Sequence, residues 1–568
     1  PMHDTSDRYV IIFNGEILNY KQLKAELIEA FGISFNTESD TEVLLNAYIH
    51  WGEGCLSKLS GFFAFVIYDK EKHDLFVARD RLGVKPLLYY IDEDKFVFAS
   101  EMKSVLAYNV PKEIDWASVR QYLTLGYIPE PDSIFQTIKK VPAGTYMRIS
   151  KERIEQKKYY QIPEKPIQNH TIEFQEAVAT VRTIVDQSIQ DRLVSDVPVG
   201  AFLSGGVDSS IVVASASQHT KNLHTFSIGY HDAAYYDETK DAELVAKTFG
   251  TSHTTYKLTK NDLIDHLFYC LDSIDEPFGD TSTLPLFLLS KKVSSKVKVV
   301  LSGDGADELF GGYNKHKAEW LVKHPDWKLM LAKVMAPVTK NFTGSREGAF
   351  GDTIRKMNKL TEGMKLSDSE RYYAWCSLVN DRTLNDFLTI GNKGEEEYNK
   401  RRAHSLRRFN HKKYDFNTVL NTDLELVLGS DMLHKVDSMS MASGLEVREP
   451  LIDYRLVDYV TALPAEYKRN AKTGKDVLKQ AFKEELPKEI LNKPKHGFDV
   501  PLMDLFSKEL KSWILDELFT EEFVKDQGVF RWDYILNIRN VISKSGNYDE
   551  AQLWSIIVFQ YWWKKFMK

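Results

Sequence analysis

One heptapeptide of the chain reads Ser204-Gly205-Gly206-Val207-Asp208-Ser209-Ser210. It follows the apolar run 197–203 and precedes the helix-like run 211–216. A buried strand, a turn with two glycines and a helix start point backbone N–H groups at one anion, where the helix dipole favours negative charge. Asp208 inside the turn can hold a magnesium ion against phosphates. The stretch therefore predicts a phosphate-binding turn within an α/β fold.

The spacing of this turn is neither that of the lysine-bearing P-loop nor that of the dinucleotide fingerprint. It resembles the SGGxDS pyrophosphate loop of the N-type ATP pyrophosphatases, which split ATP between the α- and β-phosphates. The alternative is a serine-glycine turn that only ends a strand. A second turn elsewhere in the sequence disfavours that alternative.

The second turn reads Ser302-Gly303-Asp304-Gly305-Ala306-Asp307-Glu308, and it follows a run of apolar residues, 297–301, that predicts a short buried strand. Small residues and carboxylates again stand at the end of a strand. In open α/β sheets, ligands bind outside the carboxyl ends of the strands. The two turns are therefore expected to meet over one nucleotide.

The pair of turns resembles the synthetase domain of the glutamine-hydrolysing asparagine synthetases, whose pattern is SGGxDSS followed by SGEGxDExFGGY. The resemblance implies that ATP and Mg²⁺ are used to convert a carboxylate into an acyl-adenylate. It assigns magnesium to Asp208 and Asp307, and catalytic roles to Asp304 and Lys475. The residues that it assigns to ATP are Leu203, Ser204, Gly205, Gly206, Asp208, Ser209, Ser210, Ser227, Ile228, Ser302 and Gly303. Of these, Ser227 and Ile228 are expected to follow a strand over residues 223–226.

Several later segments also match the family. Lys475 matches a lysine near the transferred phosphate, although without the resemblance it would be an ordinary solvated helix lysine. Residues 437–442 resemble DxxSMA. Residues 445–453 resemble LExRxPFLD, where Arg448 suits a carboxylate or phosphate. An internal ion pair of Arg448 with Glu446 or Asp453 is the alternative. Residues 493–498 match a family loop that is expected near the nucleotide.

Asp304 departs from the family pattern, which has glutamate at this position. In the usual enzyme this carboxylate lies where ammonia attacks the adenylate, so the shorter side chain puts aspartate in doubt as the acceptor. Other segments, including 127–131 and 276–280, look closer to a bacterial branch associated with the amidation of other carboxylates, including surface-sugar precursors.

Strand-like runs alternate with turns over residues 1–160, and helical patterns begin at Tyr20 and Asp40. This order predicts an α+β layered domain. A polar, proline-bearing linker follows. Over residues 172–568, helix patterns alternate with short buried strands, as a doubly wound parallel sheet requires, and the C-terminal part is mostly helical. The predicted fold class is α/β, with these two domains in sequence.

The first domain resembles the family's glutaminase domain, an N-terminal-nucleophile type of fold. Residues 13–20 match FNGEIYNY, residues 39–42 match SDTE, and residues 79–87 match RDxxGxKPL. By resemblance, Asn14 and Gly15 stabilise the oxyanion formed from glutamine, and Glu16 and Asp40 bind its α-amino end. The alternative for Asn14 and Gly15 is a hairpin turn.

Family members begin with a cysteine whose own α-amino group acts as the base, whereas this sequence begins at Pro1. Cys55, Cys270 and Cys376 do not stand at a chain start, so none of them can fill this role. The sequence is therefore expected to lack an N-terminal piece, and it is expected to use ammonia but not glutamine as given.

Composition excludes several classes of function. The formal net charge of −7, with basic residues spread along the chain, argues against binding to nucleic acid or an anionic membrane. The three cysteines lack metal-ligand spacing, which favours buried thiols and a cytoplasmic location. Residues 553–563 are too short to span a bilayer and predict a buried terminal helix, with an interfacial membrane helix as the alternative.

Together these features predict an ATP-dependent amidotransferase whose partners are small molecules, namely a carboxylate acceptor and glutamine or ammonia. Asparagine synthesis from aspartate is the leading version. The alternatives are amidation of another carboxylate such as a uronic acid, and a β-lactam-forming or peptide-cyclising relative. A non-catalytic protein with a degenerate glutaminase domain is an alternative of another class. The oligomeric state stays open, with a homodimer as one option.

Overall fold

The computed structural model describes residues 1–163, 172–231, 238–325, 329, 349–410, 415–493, 508–543 and 549–567. Two segments of the sequence prediction extend beyond these residues. Most of the predicted linker, 164–171, lies outside the described residues, and so does the part 494–498 of the loop expected near the nucleotide.

The N-terminal part contains two antiparallel sheets. One has six strands in the order β1-β2-β3-β4-β8-β9, and the other has three in the order β6-β5-β7. The strands are β1 (Met2–His3), β2 (Tyr9–Ile17), β3 (Gly61–Asp69), β4 (Asp74–Arg79), β5 (Leu88–Ile91), β6 (Phe96–Ala99), β7 (Ile138–Lys140), β8 (Thr145–Ile149) and β9 (Ile154–Lys158).

Helices cover one face of the larger sheet. The helices of this part are Tyr20–Phe31, Asp40–Trp51, Cys55–Lys58, Met102–Leu106 and Trp116–Leu125, with a 3-10 turn at Gly52–Gly54. The helix Asp40–Trp51 begins at an N-cap, Ser39, whose side chain accepts a hydrogen bond from the Thr41 amide. Buried side chains of the first two helices join those of β2, β3 and β4 in one core. The predicted α+β layering is confirmed.

The second part is built on a parallel sheet with the strand order β12-β11-β10-β13-β14. Its strands are β10 (Val199–Phe202), β11 (His224–Tyr230), β12 (Ser252–Leu258), β13 (Val299–Leu301) and β14 (Glu446–Arg448). All neighbouring pairs run parallel. The order reverses direction between β10 and β13, which is the switch point of a doubly wound sheet. The predicted α/β fold class is confirmed.

The strand β11 is longer than the sequence analysis predicted. Ser227 and Ile228 were expected to follow the strand, but they lie within it, because β11 pairs with β12 as far as Tyr230 and Leu258. Buried apolar side chains at Ile228 and Tyr230 hold this extension in the core. Ser227 is therefore a residue inside a strand, not part of a turn.

Helices alternate with the strands and then dominate the C-terminal part. Those up to β14 are Phe174–Arg192, Val207–His219, Thr239–Phe249, Lys260–Asp272, Thr283–Val293, Ala306–Phe310, Asn314–Lys323, Ala349–Gly363, Asp368–Cys376, Asp381–Phe387, Glu395–Ser405, Phe416–Asp423 and His434–Met441, with a 3-10 turn at Arg407–Asn410 and a π-helical stretch at Leu424–Leu433. Those after β14 are Tyr454–Ala462, Ala465–Lys468, Asp476–Ala481, Lys488–Leu491, Lys508–Trp513, Glu521–Gln527, Trp532–Ser543 and Glu550–Phe566, with a 3-10 turn at Pro450–Ile452 and a π-helical turn at Ile514–Leu518.

The terminal helix Glu550–Phe566 is part of the largest apolar core, as the sequence predicted. Tyr122 donates its hydroxyl to the carbonyl of Ser555 at 2.7 Å, and Phe135 lies against the ring of Trp562 with centroids 5.7 Å apart. The apolar side chains of this helix are therefore used in packing against the N-terminal part. Within the described ranges, no helix is both long and apolar enough to cross a membrane.

Candidate active site

The two predicted turns lie side by side because they follow neighbouring strands. β10 pairs with β13, and the turns begin where these strands end. Gly303 packs against the first turn, since an added Cβ would lie 2.7 Å from the Ser209 amide nitrogen and 2.9 Å from the Asp208 carbonyl carbon. A larger residue would push the turns apart. The structure therefore brings both turns to one place at the carboxyl edge of the parallel sheet.

Serine hydroxyls hold the first turn in shape. Ser209 Oγ accepts a hydrogen bond from the Ser204 amide at 3.2 Å, and Ser204 Oγ accepts one from the Gly206 amide at 3.3 Å. The hydroxyl of Ser210 is buried and donates to the Gly206 carbonyl at 2.6 Å. Ser204 is exposed, and the helix Val207–His219 begins just beyond it. An anion beside Ser204 would therefore meet the N-terminus of a helix.

The other residues predicted to bind ATP lie within β11 or directly after β10 and β13. Leu203 is buried, and its backbone N–H donates to β11 at 2.8 Å. Ser227 Oγ lies 3.1 Å from His253 Nε2 and 3.1 Å from Thr255 Oγ1 of the neighbouring strand. Ser302 is buried, and its backbone N–H donates to Arg448 O at 3.0 Å. These contacts tie the edge of the sheet together around the two turns.

Lys475 lies between the two carboxylates that were predicted to bind magnesium. Its Nζ atom is 2.5 Å from Asp208 Oδ2 and 2.6 Å from Asp307 Oδ1. Its backbone N–H donates to Phe310 O at 3.1 Å, which holds the lysine beside the helix Ala306–Phe310. The residue is only 5% exposed. The chain thus places a buried cation where the carboxylates of both turns meet.

Gly312 makes room for this arrangement. An added Cβ would lie 1.9 Å from Asp307 Oδ1 and 2.1 Å from Lys475 Cε. Such contacts are far shorter than van der Waals separation, so any side chain here would displace the aspartate, the lysine or both. Position 312, the second residue of the Gly311-Gly312 pair after the second turn, therefore requires glycine for steric reasons.

Polar residues continue behind Asp307. Glu308 is buried, and its Oε1 accepts a hydrogen bond from the Tyr313 hydroxyl at 2.7 Å. Burial, with a smaller effect of the Asp307 charge, raises the pKa of Glu308 to about 7. Deeper in the protein, Asp423 lies 2.8 Å from Lys315 Nζ and 2.6 Å from His316 Nε2. Burial opposes ionisation of Asp423, but Lys315 lowers its pKa to about 2.

A second site lies on the N-terminal sheet. Asn14, Gly15 and Glu16 are consecutive on β2 and pair with residues 62–64 of β3. The side-chain amide of Asn14 donates to Ser100 Oγ at 3.1 Å. Asp40 begins its helix next to them, and its Oδ2 accepts the Ile17 amide at 3.0 Å. The four residues that the sequence assigned to glutamine are therefore neighbours.

The two carboxyl groups of this second site are poorly neutralised. Burial raises the pKa of Glu16 to about 7, although Arg448 Nη2 is 3.4 Å away, and Glu446 and Asp40 add to the shift. Burial also raises the pKa of Asp40. Carboxyl groups in this condition bind a cation favourably, because a positive charge would offset their desolvation.

Comparison with known sequences places these sites in a family. The model described as "Asparagine synthase" matches residues 180–564, and the model described as "Glutamine amidotransferase domain" matches residues 1–160. The chain belongs to the asparagine synthetase family. Members of this family are ATP-dependent ligases that carry a glutamine amidotransferase domain.

Similar proteins cover nearly the whole chain. Asparagine synthetase [glutamine-hydrolyzing] 1 of Bacillus subtilis is 32% identical over 99% of this chain and 86% of its own length. A putative asparagine synthetase of Mycobacterium tuberculosis is 30% identical over 98% of this chain and 85% of its own. "Amidase chry2" of Gibberella zeae is 27% identical over 94% and 83%. Relatives of similar architecture thus carry different names.

In this family member, Arg448 joins the two parts of the chain. Its Nε atom is 2.6 Å from Glu446 Oε1, and its Nη1 donates to the carbonyls of Arg192 and Val194 at 2.9 and 2.7 Å. Its Nη2 faces Glu16. Of the two internal pairs considered from the sequence, the one with Glu446 is present, whereas the suggested partner Asp453 pairs with Arg192 and Arg455 instead.

The segment that matches RDxxGxKPL makes a second link, which sequence reasoning did not find. The carboxylate of Asp80 accepts backbone hydrogen bonds from Leu82, Val84 and Lys85 at 3.2, 3.0 and 3.0 Å. This fixes the turn so that Lys85 Nζ reaches Asp437 Oδ1 at 2.7 Å. Asp437 lies in the segment that matches DxxSMA. A buried ion pair therefore joins a family-matching segment of the first domain to one of the second domain.

The cysteines are structural. Cys55 and Cys270 are buried, and burial raises the pKa of each thiol to about 12. Cys376 was also predicted to be buried, but it is partly exposed; burial of its thiol still raises its pKa. A thiol with a raised pKa is a poor nucleophile at neutral pH. These thiols therefore behave as the sequence analysis expected.

Proposed function

We propose that the chain is an ATP-dependent amidotransferase that forms an acyl-adenylate at the parallel-sheet site and then an amide. The observation that carries the proposal is the meeting of the two turns, with Lys475 held between Asp208 and Asp307. A scaffold protein has no chemical need for a buried cation between two carboxylates at a helix N-terminus. This disfavours a non-catalytic role.

In the first step, the acceptor carboxylate attacks the α-phosphorus of ATP, and pyrophosphate leaves with the bonding electrons. We assign the pyrophosphate portion to Ser204, Gly205, Gly206 and Ser209, because this turn stands at a helix N-terminus and Ser204 is exposed there. Ser210 stabilises the turn through Gly206. On the family resemblance, we assign adenosine to Leu203, Ser227, Ile228, Ser302 and Gly303.

Asp208 and Asp307 are the residues that would hold magnesium. Magnesium is commonly bound by one or two carboxylates together with substrate phosphates, and this pair of carboxylates already accommodates one cation, the Lys475 ammonium group. A bound Mg²⁺ neutralises charge on the phosphates. Lys475, held at these carboxylates, would supply a further fixed positive charge, and a fixed cation stabilises the charge that develops on the phosphates during displacement.

In the second step, ammonia attacks the acyl carbon and AMP leaves. We assign Asp304 to the acyl group, because it lies in the second turn directly after Gly303, which packs against the first turn. We assign the two sites to two domains. Residues 172–568 contain the synthetase site, and residues 1–160 contain the glutamine site. In the latter, Asn14 and Gly15 would stabilise an oxyanion, and Glu16 and Asp40 would bind an α-ammonium group.

Aspartate is the leading acceptor, since several relatives are named asparagine synthetases. A uronic acid or another carboxylate is the second candidate, because Asp304 is one methylene shorter than the usual glutamate. The substrates of this reaction are small molecules, and we propose no other partners. Free thiols are compatible with the reducing cytoplasm, where we propose that the protein acts.

The test measures AMP formation with ammonium and a panel of aspartate, glutamate and nucleotide-linked uronic acids, using the wild type and Asp304→Glu. Turnover of aspartate by the wild type supports asparagine synthesis. Turnover of a uronic acid, with no turnover of aspartate or glutamate, would instead support the amidation of a sugar. AMP formation that depends on no acceptor in the panel, or no AMP at all, would count against the amidotransferase assignment.

A further inference from the structure

Glu449 is a buried carboxyl group at the same edge of the sheet as Asp304. It directly follows β14, which pairs in parallel with β13, and β13 leads into the turn that contains Asp304. The hydrogen bond from the Ser302 amide to Arg448 O at 3.0 Å continues this pairing to the residue before Glu449. Topology therefore places Glu449 and Asp304 at adjacent strand ends.

The environment of Glu449 leaves its carboxyl group unsatisfied. The residue is 2% exposed, and its Oε2 atom has no hydrogen-bond partner among the residues that the structure describes. It lines a small cavity between the two parts of the chain, with Gly61 and Phe62 on one side and Ile452 on the other. A buried polar atom without a partner, in a residue that lines a cavity, calls for an explanation, and a catalytic role is one.

Charged groups from several elements face Glu449. The neighbouring cations are already paired, because Lys85 lies 2.7 Å from Asp437 and Arg192 lies 2.8 Å from Asp453. Among the described residues, the titratable and charged groups that act most on Glu449 or line the same cavity are Asp304, Asp437, Lys85, Arg192, Asp80, Arg81, Asp453 and Tyr454.

The balance of these groups favours the protonated carboxyl. Burial, followed by the charge of Asp304, raises the pKa of Glu449 to about 8, although Lys85 and Arg192 oppose the shift. Such a group gains and loses a proton near neutral pH, which is what a group that transfers protons in catalysis requires.

We propose that Glu449 accepts the proton that the nitrogen nucleophile releases when it attacks the acyl-adenylate. The nitrogen lone pair forms the new bond to the acyl carbon, and a proton moves from that nitrogen to a carboxylate oxygen of Glu449. The bond from carbon to the AMP oxygen then breaks, and AMP leaves with the electron pair. Glu449 afterwards returns its proton to water.

This role explains how the site works with a shortened residue at position 304. Asp304 reaches less far toward the acyl carbon than a glutamate would, and a second carboxyl group at the neighbouring strand end supplies the missing acceptor. The charge of Asp304 also keeps the pKa of Glu449 high, because a nearby negative charge disfavours ionisation of the carboxyl group.

The test uses the full chain and Glu449→Gln, which keeps the size of the side chain. The nucleophile is hydroxylamine, which is unprotonated at neutral pH, and the acceptor is aspartate or, if the panel above selects it, the uronic acid. We expect hydroxamate formation to fall by about 10²-fold or more, with acceptor-dependent exchange of pyrophosphate into ATP retained. Retained exchange also shows that the variant is folded.

The pH dependence separates proton transfer from a merely structural role. In the wild type, the hydroxamate rate should rise with pH through an inflection near the Glu449 pKa of about 8, and in Glu449→Gln this rise should disappear. Asp458→Asn is the matched control. It removes another carboxyl group with a raised pKa, one that bonds to Tyr160, and it should keep the wild-type pH profile.

The inference rests on the proposed function, but the two can fail separately. A wild type without acceptor-dependent exchange would reject the proposed function. Normal exchange together with an unchanged pH profile in Glu449→Gln would reject the role of Glu449 alone. A variant that only weakens acceptor affinity in the exchange reaction, with the pH profile preserved, would also overturn it, because Glu449 would then bind the acceptor.

Discussion

The two candidate sites of this chain differ in how closely a cation approaches their carboxylates. At the parallel sheet, Asp208 and Asp307 are joined by a buried cation, Lys475, at 2.5 and 2.6 Å. At the N-terminal sheet, the cation beside Glu16 among the described residues is Arg448 at 3.4 Å, and the pKa of Glu16 is raised to about 7. The first site holds a cation between its two carboxylates, whereas the second compensates its buried carboxyl groups weakly.

The difference indicates what each site requires from its ligand. A site that supplies its own cation is suited to anionic groups such as phosphates, because the fixed charges do not need to reorganise when the ligand binds. A site with excess buried carboxyl is suited to a ligand that carries a positive charge, such as the α-ammonium group of an amino acid. The predictions below test this contrast.

The largest effect is expected for Lys475→Met. The substitution leaves two carboxylates facing each other without their cation and removes the positive charge expected at the phosphates. Acceptor-dependent AMP formation should fall on the order of 10²- to 10³-fold. Lys472→Met, at an exposed lysine on the same loop, is the control and should retain activity. Equal activity of the two variants would remove Lys475 from the mechanism.

A smaller loss is expected for Gly312→Ala, because the new methyl group would displace Asp307 or Lys475 from the positions observed. A misplacement of about 1 Å can cost about 10²-fold in rate. The measurement is AMP formation beside circular dichroism to verify the fold. Gly54→Ala, where an added Cβ meets nothing within 4 Å, should be silent. Full activity in Gly312→Ala would mean that this geometry is not needed.

The smallest effect concerns Glu16 and is a change in stability. Burial raises its pKa from 4.5 to about 7, so between these values the folded state binds more protons than the unfolded state. The unfolding free energy of the wild type therefore includes a contribution that decreases as pH rises through this range. Glu16→Gln should remove that contribution and gain stability relative to the wild type as pH rises.

Urea denaturation at pH values below and above this range measures the effect. Glu29→Gln, at an exposed glutamate on the helix Tyr20–Phe31, is the control and should track the wild type. A stability difference for Glu16→Gln that stays constant with pH would show that folding does not raise the pKa of this carboxyl group, and the contrast between the two sites would then be lost.

Much of this arrangement could be predicted from the sequence because its causes are local. The turn at residues 204–210 follows from its glycines, its hydroxyls and the helix start beside it, and the pairing of two such turns follows from the edge of a parallel sheet. The α/β fold was predicted in the same way, from alternating helical and buried-strand patterns.

The features that were missed depend on distant partners. The strand β11 includes Ser227 because β12 pairs with it, and its own sequence does not specify how far that pairing extends. Lys475 meets Asp208 only through the packing of three separate segments. Glu449 stands at a position that the LExRxPFLD pattern leaves undefined, so its burial could be seen only in the folded chain.

The central claim is that Asp208 and Asp307 act together, across two turns, on one ATP molecule. The most direct measurement is acceptor-dependent exchange of labelled pyrophosphate into ATP in the presence of Mg²⁺, for the wild type, Asp208→Ala and Asp307→Ala. The account predicts exchange in the wild type and none in either folded variant. Normal exchange in a well-folded Asp208→Ala or Asp307→Ala would contradict it.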